Sequence, residues 1–288
     1  MSNSKFQVNS AQNLNSHHPV APLPHHHINL NLPIIGITMG DPTGIGPEII
    51  VKALSMEGPF QACRPIVFGD REVLSRAIQM QHLSATLEII EEIPEDVYLP
   101  RKIFLFPISH LEVTSLRFGQ PERTCGVAMV KYIEEAVKWV RSGRVDAITT
   151  CPINKQAMNA AGYHFPGHTE LLAHLSQASP VAMMFLGSRW KIVLVTIHLP
   201  LKDVSKWITS NRILATLRLT DEGMKKYFGI PRPKMAVLGL NPHCGEEGLL
   251  GEEEKREILP AIAEAKSLGM DVEGPFPADS FFNLSGRS

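Results

Sequence analysis

The stretch GITMGDPTGIGPEII, Gly36 to Ile50, holds the transition on which the fold turns. An apolar run, Ile34 to Ile37, stops at Gly40. The turn-rich segment Asp41-Pro42-Thr43-Gly44-Ile45-Gly46-Pro47-Glu48 comes next, and a helical pattern begins where Pro47 is suited to the first turn. Gly-rich strand-to-helix turns often hold phosphate. Here the glycines are spaced G-x-x-x-G-x-G and no GK[ST] follows, so neither the dinucleotide fingerprint nor the P-loop pattern is met.

The same alternation continues outward. Strand-like runs fall at Pro65–Phe68, Ile103–Phe106, Ala147–Thr150, Val181–Leu186, Ile192–Ile197 and Met235–Leu240. Amphipathic stretches lie between several of them. GVAMVKYIEEAVKWVRSG, NRILATLRLTDEGMKKYFG and EEEKREILPAIAEAKSLG each end in a glycine stop. The pattern predicts an α/β protein with a mostly parallel sheet.

The bulk numbers set limits on partners. The chain has 288 residues, 28 basic against 29 acidic side chains and a formal net charge of -1, which favours neither nucleic acid nor a membrane surface. No apolar run approaches the length that spans a bilayer. Four cysteines without CxxC spacing point to a reducing, cytoplasmic setting. Residues 1–32, rich in Asn, Ser, His and Pro, read as a disordered polar tail, with His25–His27 able to bind metal only adventitiously.

In parallel sheets ligands collect beyond the carboxyl ends of strands. Four unusual loops are expected there, on one sheet edge: the Gly40 turn, TTCPINKQAMN, TIHLPL and GLNPHCGEEG. His198 and His243 each stand where a strand gives out and could chelate one ion, although a catalytic metal normally has three protein ligands. GHTE, Gly167–Glu170, sits at a predicted helix start, where His168 or Thr169 could cap and exposed N–H groups would favour an anion. Lys155 could act as a point charge for phosphate or carboxylate. Taken singly, each of these also reads as an ordinary loop or surface residue.

Together, GITMGDPTGIGPEIIVKAL, DAITTCPINKQAMNAAGYHFPGHTELLA, VTIHLPLKDV and GLNPHCGEEGLLGEEE, with GPFPADSFF after them, resemble the 4-hydroxythreonine-4-phosphate dehydrogenase (PdxA) family in order and spacing from Pro33 to about Phe282. The resemblance implies two α/β/α lobes like those of isocitrate and isopropylmalate dehydrogenases, with a cleft between them, and a homodimer. The expected divisions are residues 33–150 and 151–288, with the opening loop as a cleft wall whose glycines let ligand approach. It implies NAD-dependent (or NADP-dependent) oxidation of 4-phosphooxy-L-threonine with loss of CO2, giving 3-amino-2-oxopropyl phosphate for pyridoxal phosphate synthesis. His168 and Thr169 match the substrate-contacting pair, His198 and His243 two of three histidines that hold a divalent metal (Zn, Mg or Co), and Lys155 the loop lysine; Lys155 and His168 are the catalytic candidates.

The family pattern continues beyond GPFPAD with a YHDQ-type motif carrying the third metal histidine, which this sequence lacks before Ser288. Little dehydrogenase turnover is therefore expected, checked by NADH formation with added Mg2+, Zn2+ or Co2+. Cys151 also departs from the Gly or Ala usual before the loop proline. Alternatives are a dehydrogenase of erythronate or threonate 4-phosphate, and a non-catalytic remnant.

Overall fold

The computed structural model describes residues 32–95 and 97–284. Most of the expected polar tail, including His25–His27, lies outside them. In chain order the elements are β1 (Ile34–Thr38), α1 (Gly46–Ala53), α2 (Gly58–Ala62), β2 (Arg64–Asp70), α3 (Arg71–Met80), β3 (Thr86–Ile89), β4 (Lys102–Ser109), α4 (Arg123–Arg141), β5 (Ala147–Thr150), α5 (Lys155–Ala160) and α6 (His168–Ser176). Then come β6 (Met183–Leu186), β7 (Lys191–Leu194), α7 (Val204–Trp207), α8 (Ser210–Phe228), β8 (Lys234–Leu238), α9 (Leu259–Ser267), β9 (Asp271–Phe276) and α10 (Ala278–Leu284). None of the described helices is long and apolar enough to cross a membrane.

The α/β expectation is met. β3-β4-β2-β1-β5 form a wholly parallel sheet. β2 is buried along nearly its whole length, as a central strand with both faces covered must be. The main covering element is α4, whose buried stripe includes Met129, Tyr132, Ile133, Ala136 and Trp139. Trp139 meets Phe68 edge-on at 5.1 Å, locking α4 onto β2. Asp70, fully buried, ends β2 and caps α3 by accepting from the N–H groups of Glu72 and Val73. Its second oxygen accepts from Ser109 Oγ at 2.7 Å and Leu111 N at 2.8 Å, so one carboxylate ties three elements at the carboxyl end of the sheet.

Two hydrophobic clusters form. The first runs from Ile34 to Leu171 and takes in Ala157 and Met158 of α5. The second joins Ile213, Leu214 and Leu217 of α8 to Ile258, Ala261, Ile262 and Ala265, with Val272 of β9. α5 and α6, beyond residue 150, thus pack with the first core.

The four loops do not share one sheet edge, which corrects the sequence expectation. The Gly40 turn and the Cys151 loop follow neighbouring strands of the parallel sheet. His198 follows the antiparallel β6–β7 hairpin, and His243 follows β8 in a separate parallel pair with β9. β6 and β7 run antiparallel because Gly187 to Trp190 close a tight turn, Gly187 N donating to Trp190 O. The helix expected from EEEKREILP also opens differently. Glu254–Ile258 forms a π turn before α9. Pro260 has no N–H to give the Arg256 carbonyl, which removes one ordinary helical bond there.

Candidate functional site

The glycine turn after β1 proves to be an internal joint. Asp41 N donates to Pro152 O and Cys151 N to Thr38 O, both at 3.0 Å, joining the turn to the loop after β5. A Cβ on Gly40, which has φ +74, would lie 2.4 Å from Pro152 O; one on Gly46 would lie 2.1 Å from Met39 O and 3.0 Å from Cys151 Cβ. The space beside these glycines is filled by the protein's own backbone. Asp41 is buried and spends Oδ1 on the N–H and hydroxyl of Thr43, at 2.9 and 2.8 Å. Pro47 removes an N–H from the first turn of α1 and Glu48 adds negative charge there, both unfavourable to an anion. The reading of the glycines as places for ligand approach is therefore replaced: they let two loops pack. Gly46→Ala should destabilise by about 2 kcal/mol or more in urea titration, because the clash is with backbone that has no rotamer to escape into.

The joint positions α5 and, through it, the loop to α6. Asn154 caps α5, accepting from Ala157 N at 3.0 Å, so it is a cap and leaves Lys155 exposed on the first turn. The cap of α6 is Gly167, with no side-chain hydrogen bond; His168 and Thr169 are its first helical residues, not its caps. The N–H groups of His168 and Thr169 have no side-chain cap, while Glu170 takes its own N–H and adds negative charge to the turn.

Around this turn several polar atoms are unspent. His168 Nε2 and Glu170 Oε2 are buried without a partner among the described residues, as is Thr38 Oγ1 at the end of β1. Burial pushes the His168 imidazole pKa down, and a hydrogen bond to the Cys151 backbone opposes this only in part. His168 is thus neutral near pH 7, its bonded nitrogen is Nδ1, and Nε2 is left as an acceptor. Glu170 Oε1 lies 2.8 Å from His198 Nδ1. Burial raises the Glu170 carboxyl, but the hydrogen bond from His198, its own N–H and the charges of His198 and Lys155 outweigh it, holding the group below its ordinary range. Lys155, His168, Thr169 and His198 are therefore gathered about the start of α6.

His243 stands apart from that group. It lies in a run of five residues with positive φ, His243 to Glu247, at 53, 57, 77, 43 and 59°. Four of the five are not glycine, and each costs about 1–2 kcal/mol in this region. The turn is held by Glu254, only 3% exposed, whose Oε1 accepts from Leu240 N at 2.8 Å and Asn241 N at 2.7 Å while Oε2 accepts from Asn241 Nδ2 at 2.9 Å. Lys255 Nζ donates to the Glu247 carbonyl from outside. The His243 ring faces Glu246 at 3.1 Å and Asp279 at 3.8 Å.

Among the described residues, no three His, Cys, Asp or Glu side chains are grouped as a metal centre. His198 by itself has the chemistry of a metal ligand, with Nδ1 bonded to a carboxylate and Nε2 remaining. Neither Glu170 nor Glu254 stands out from sequence. The only signal for either is local: Glu170 is the acidic residue of GHTE, and Glu254 follows two other glutamates.

Comparison with known proteins adds a second line. The profile of the family described as pyridoxal phosphate biosynthetic protein PdxA matches residues 61–288. A 4-hydroxythreonine-4-phosphate dehydrogenase of Desulforapulum autotrophicum is 46% identical, over 89% of this chain and 76% of its own. A protein of Symbiobacterium thermophilum whose name proposes a D-threonate 4-phosphate dehydrogenase is 40% identical, over 87% of this chain and 74% of its own. The crystal structure of a 4-hydroxythreonine-4-phosphate dehydrogenase from Klebsiella pneumoniae superposes with a TM-score of 0.80 at 37% identity, covering 88% of this chain and 77% of that one.

Proposed function

Because this chain belongs to the PdxA family of dehydrogenases, we propose that it binds 4-phosphooxy-L-threonine for oxidation of its secondary hydroxyl and loss of CO2, giving 3-amino-2-oxopropyl phosphate. The observation that supports this most is the uncapped start of α6, with the unspent His168 Nε2 buried beside it. A phosphorylated, zwitterionic hydroxy acid answers each of those groups.

In this reading the first-turn N–H groups and the Thr169 hydroxyl donate to phosphate oxygens. The Lys155 ammonium pairs with phosphate or carboxylate. His168 Nε2 accepts a hydrogen bond from a protonated substrate group, or takes up a proton when a phosphate dianion approaches and then pairs with it. His198, through Nε2, would hold a divalent ion of the Zn, Mg or Co type, and His243, on its separate turn, would be a second donor only if the two turns come together around the ion. That ion, when bound, polarises the substrate oxygen and stabilises the charge left by decarboxylation. NAD or NADP supplies the hydride acceptor. A homodimer belongs to the same reading, supported by Leu201 and Leu249, which are 89% and 83% exposed; sedimentation should give a dimer. A cytoplasmic setting agrees with the thiol usage.

Calorimetry with Mg2+ or Co2+ tests the substrate. 4-Phosphooxy-L-threonine should bind at least about ten times more tightly than D-threonate 4-phosphate, a difference of about 1.4 kcal/mol. The reverse order would move the assignment to the sugar-acid phosphate, which the Symbiobacterium relative's name favours. The same titrations in buffers of different ionisation enthalpy report His168. Its lowered pKa leaves it neutral before binding; proton uptake on binding, abolished in His168→Asn, would mark pairing with the phosphate dianion, and no uptake would mark a hydrogen bond from a protonated substrate group.

A further inference from the structure

We infer that Glu170 is a positioning residue that fixes the proton of His198 on Nδ1, so that its Nε2 lone pair faces the ligand; this rests on the proposed role of His198 as a metal donor. Glu170 is the third residue of α6, where a glutamate commonly turns back to the helix's own N-cap. Here its Oε1 reaches across 28 residues of sequence to His198 Nδ1 at 2.8 Å. A carboxylate at that distance is an acceptor, so the bridging proton belongs to the imidazole.

His198 needs such a partner. It lies at φ 54°, a conformation that a non-glycine residue keeps only when its surroundings impose it. Its Cε1 packs over the helix start, 3.7 Å from where a Cβ on Gly167 would be. The charges facing the pair are Glu170 itself and Lys155, from α5. Metal-bound histidines generally give their other ring N–H to a carboxylate or carbonyl, which sets both tautomer and ring orientation. The consequence is geometric. His168 and Thr169 precede Glu170 directly, so one helical turn carries both the anion-binding groups and the anchor of the imidazole. Phosphate and metal ends of a substrate are thereby held at one separation.

The test uses the full chain with Glu170→Gln and Glu170→Met. Nitrogen-15 spectra of the imidazoles, without metal, should show His198 protonated on Nδ1 in the parent protein. In Glu170→Met, which keeps the reach but has no acceptor, the proton should shift toward Nε2. Zn2+ or Co2+ affinity should fall about 10–100-fold in both variants, with thermal midpoints close to the parent's. An unchanged tautomer in Glu170→Met, together with a metal affinity within twofold of the parent, overturns the inference. His198→Ala separates the two claims. If it retains full metal affinity, the metal reading of His198 fails, while the tautomer result still decides the role of Glu170.

Discussion

Glu254→Ala should lower stability by about 3 kcal/mol or more. The carboxylate is buried and receives Leu240 N, Asn241 N and Asn241 Nδ2. Removing it strands the two backbone N–H groups, at about 1–3 kcal/mol for each one that water does not reach, while Asn241 Nδ2 keeps Glu253 Oε2. It also loosens a left-handed run of five residues whose remaining bonds are local, such as Leu250 N to Gly245 O. Loss should therefore appear first as faster amide exchange through residues 240–250, and then as a lower urea midpoint. Glu254→Gln should be milder, since its amide oxygen still accepts while its NH2 confronts Asn241 Nδ2. The pH dependence has a definite sign. Burial raises the Glu254 carboxyl, but the hydrogen bonds from Asn241 and Leu240 outweigh it and the folded pKa is lowered. The stability it contributes is complete above the unfolded carboxyl range, about 4.3, and is lost as pH falls through the folded pKa. A loop with unchanged exchange in Glu254→Ala would refute this account of how His243 is held.

His198→Ala is the second large effect. It should reduce divalent-metal affinity, and metal-dependent substrate affinity with it, by at least about a hundredfold, since loss of an outer partner alone costs about 10–100-fold. His243→Ala should cost less. His198 has Nδ1 bonded and Nε2 available, whereas Nε2 of His243 faces Asp279 at 3.8 Å and must turn from it to bind an ion. Equal losses for the two variants, measured by calorimetry, would contradict the ranking.

The sheet was legible in the sequence where strands are buried on both faces. β1, β2 and β4 contain apolar runs, and Gly143 and Gly229, both at positive φ, stop α4 and α8 as their positions promised. β3 was missed because TLEI is a short edge strand with mostly exposed side chains. β9 was missed because Gly274 and Pro275 interrupt DVEGPF. The glycine turn was misread because glycine spacing reports close approach but not what approaches; only the structure places Pro152 and Met39 there. GHTE and its neighbours were legible as a candidate site. The His198–Glu170 pair was not, because the two residues lie 28 apart and no periodicity relates them.

The central claim is that one substrate spans the start of α6 and His198. A crystal of the protein soaked with Co2+ and 4-phosphooxy-L-threonine, read by anomalous scattering, tests it directly. The phosphate should lie on the first-turn N–H groups of His168 and Thr169, with cobalt bonded to His198 Nε2 and Nδ1 still on Glu170. Phosphate density at the Gly40–Gly46 turn, or cobalt bound without His198, would contradict it.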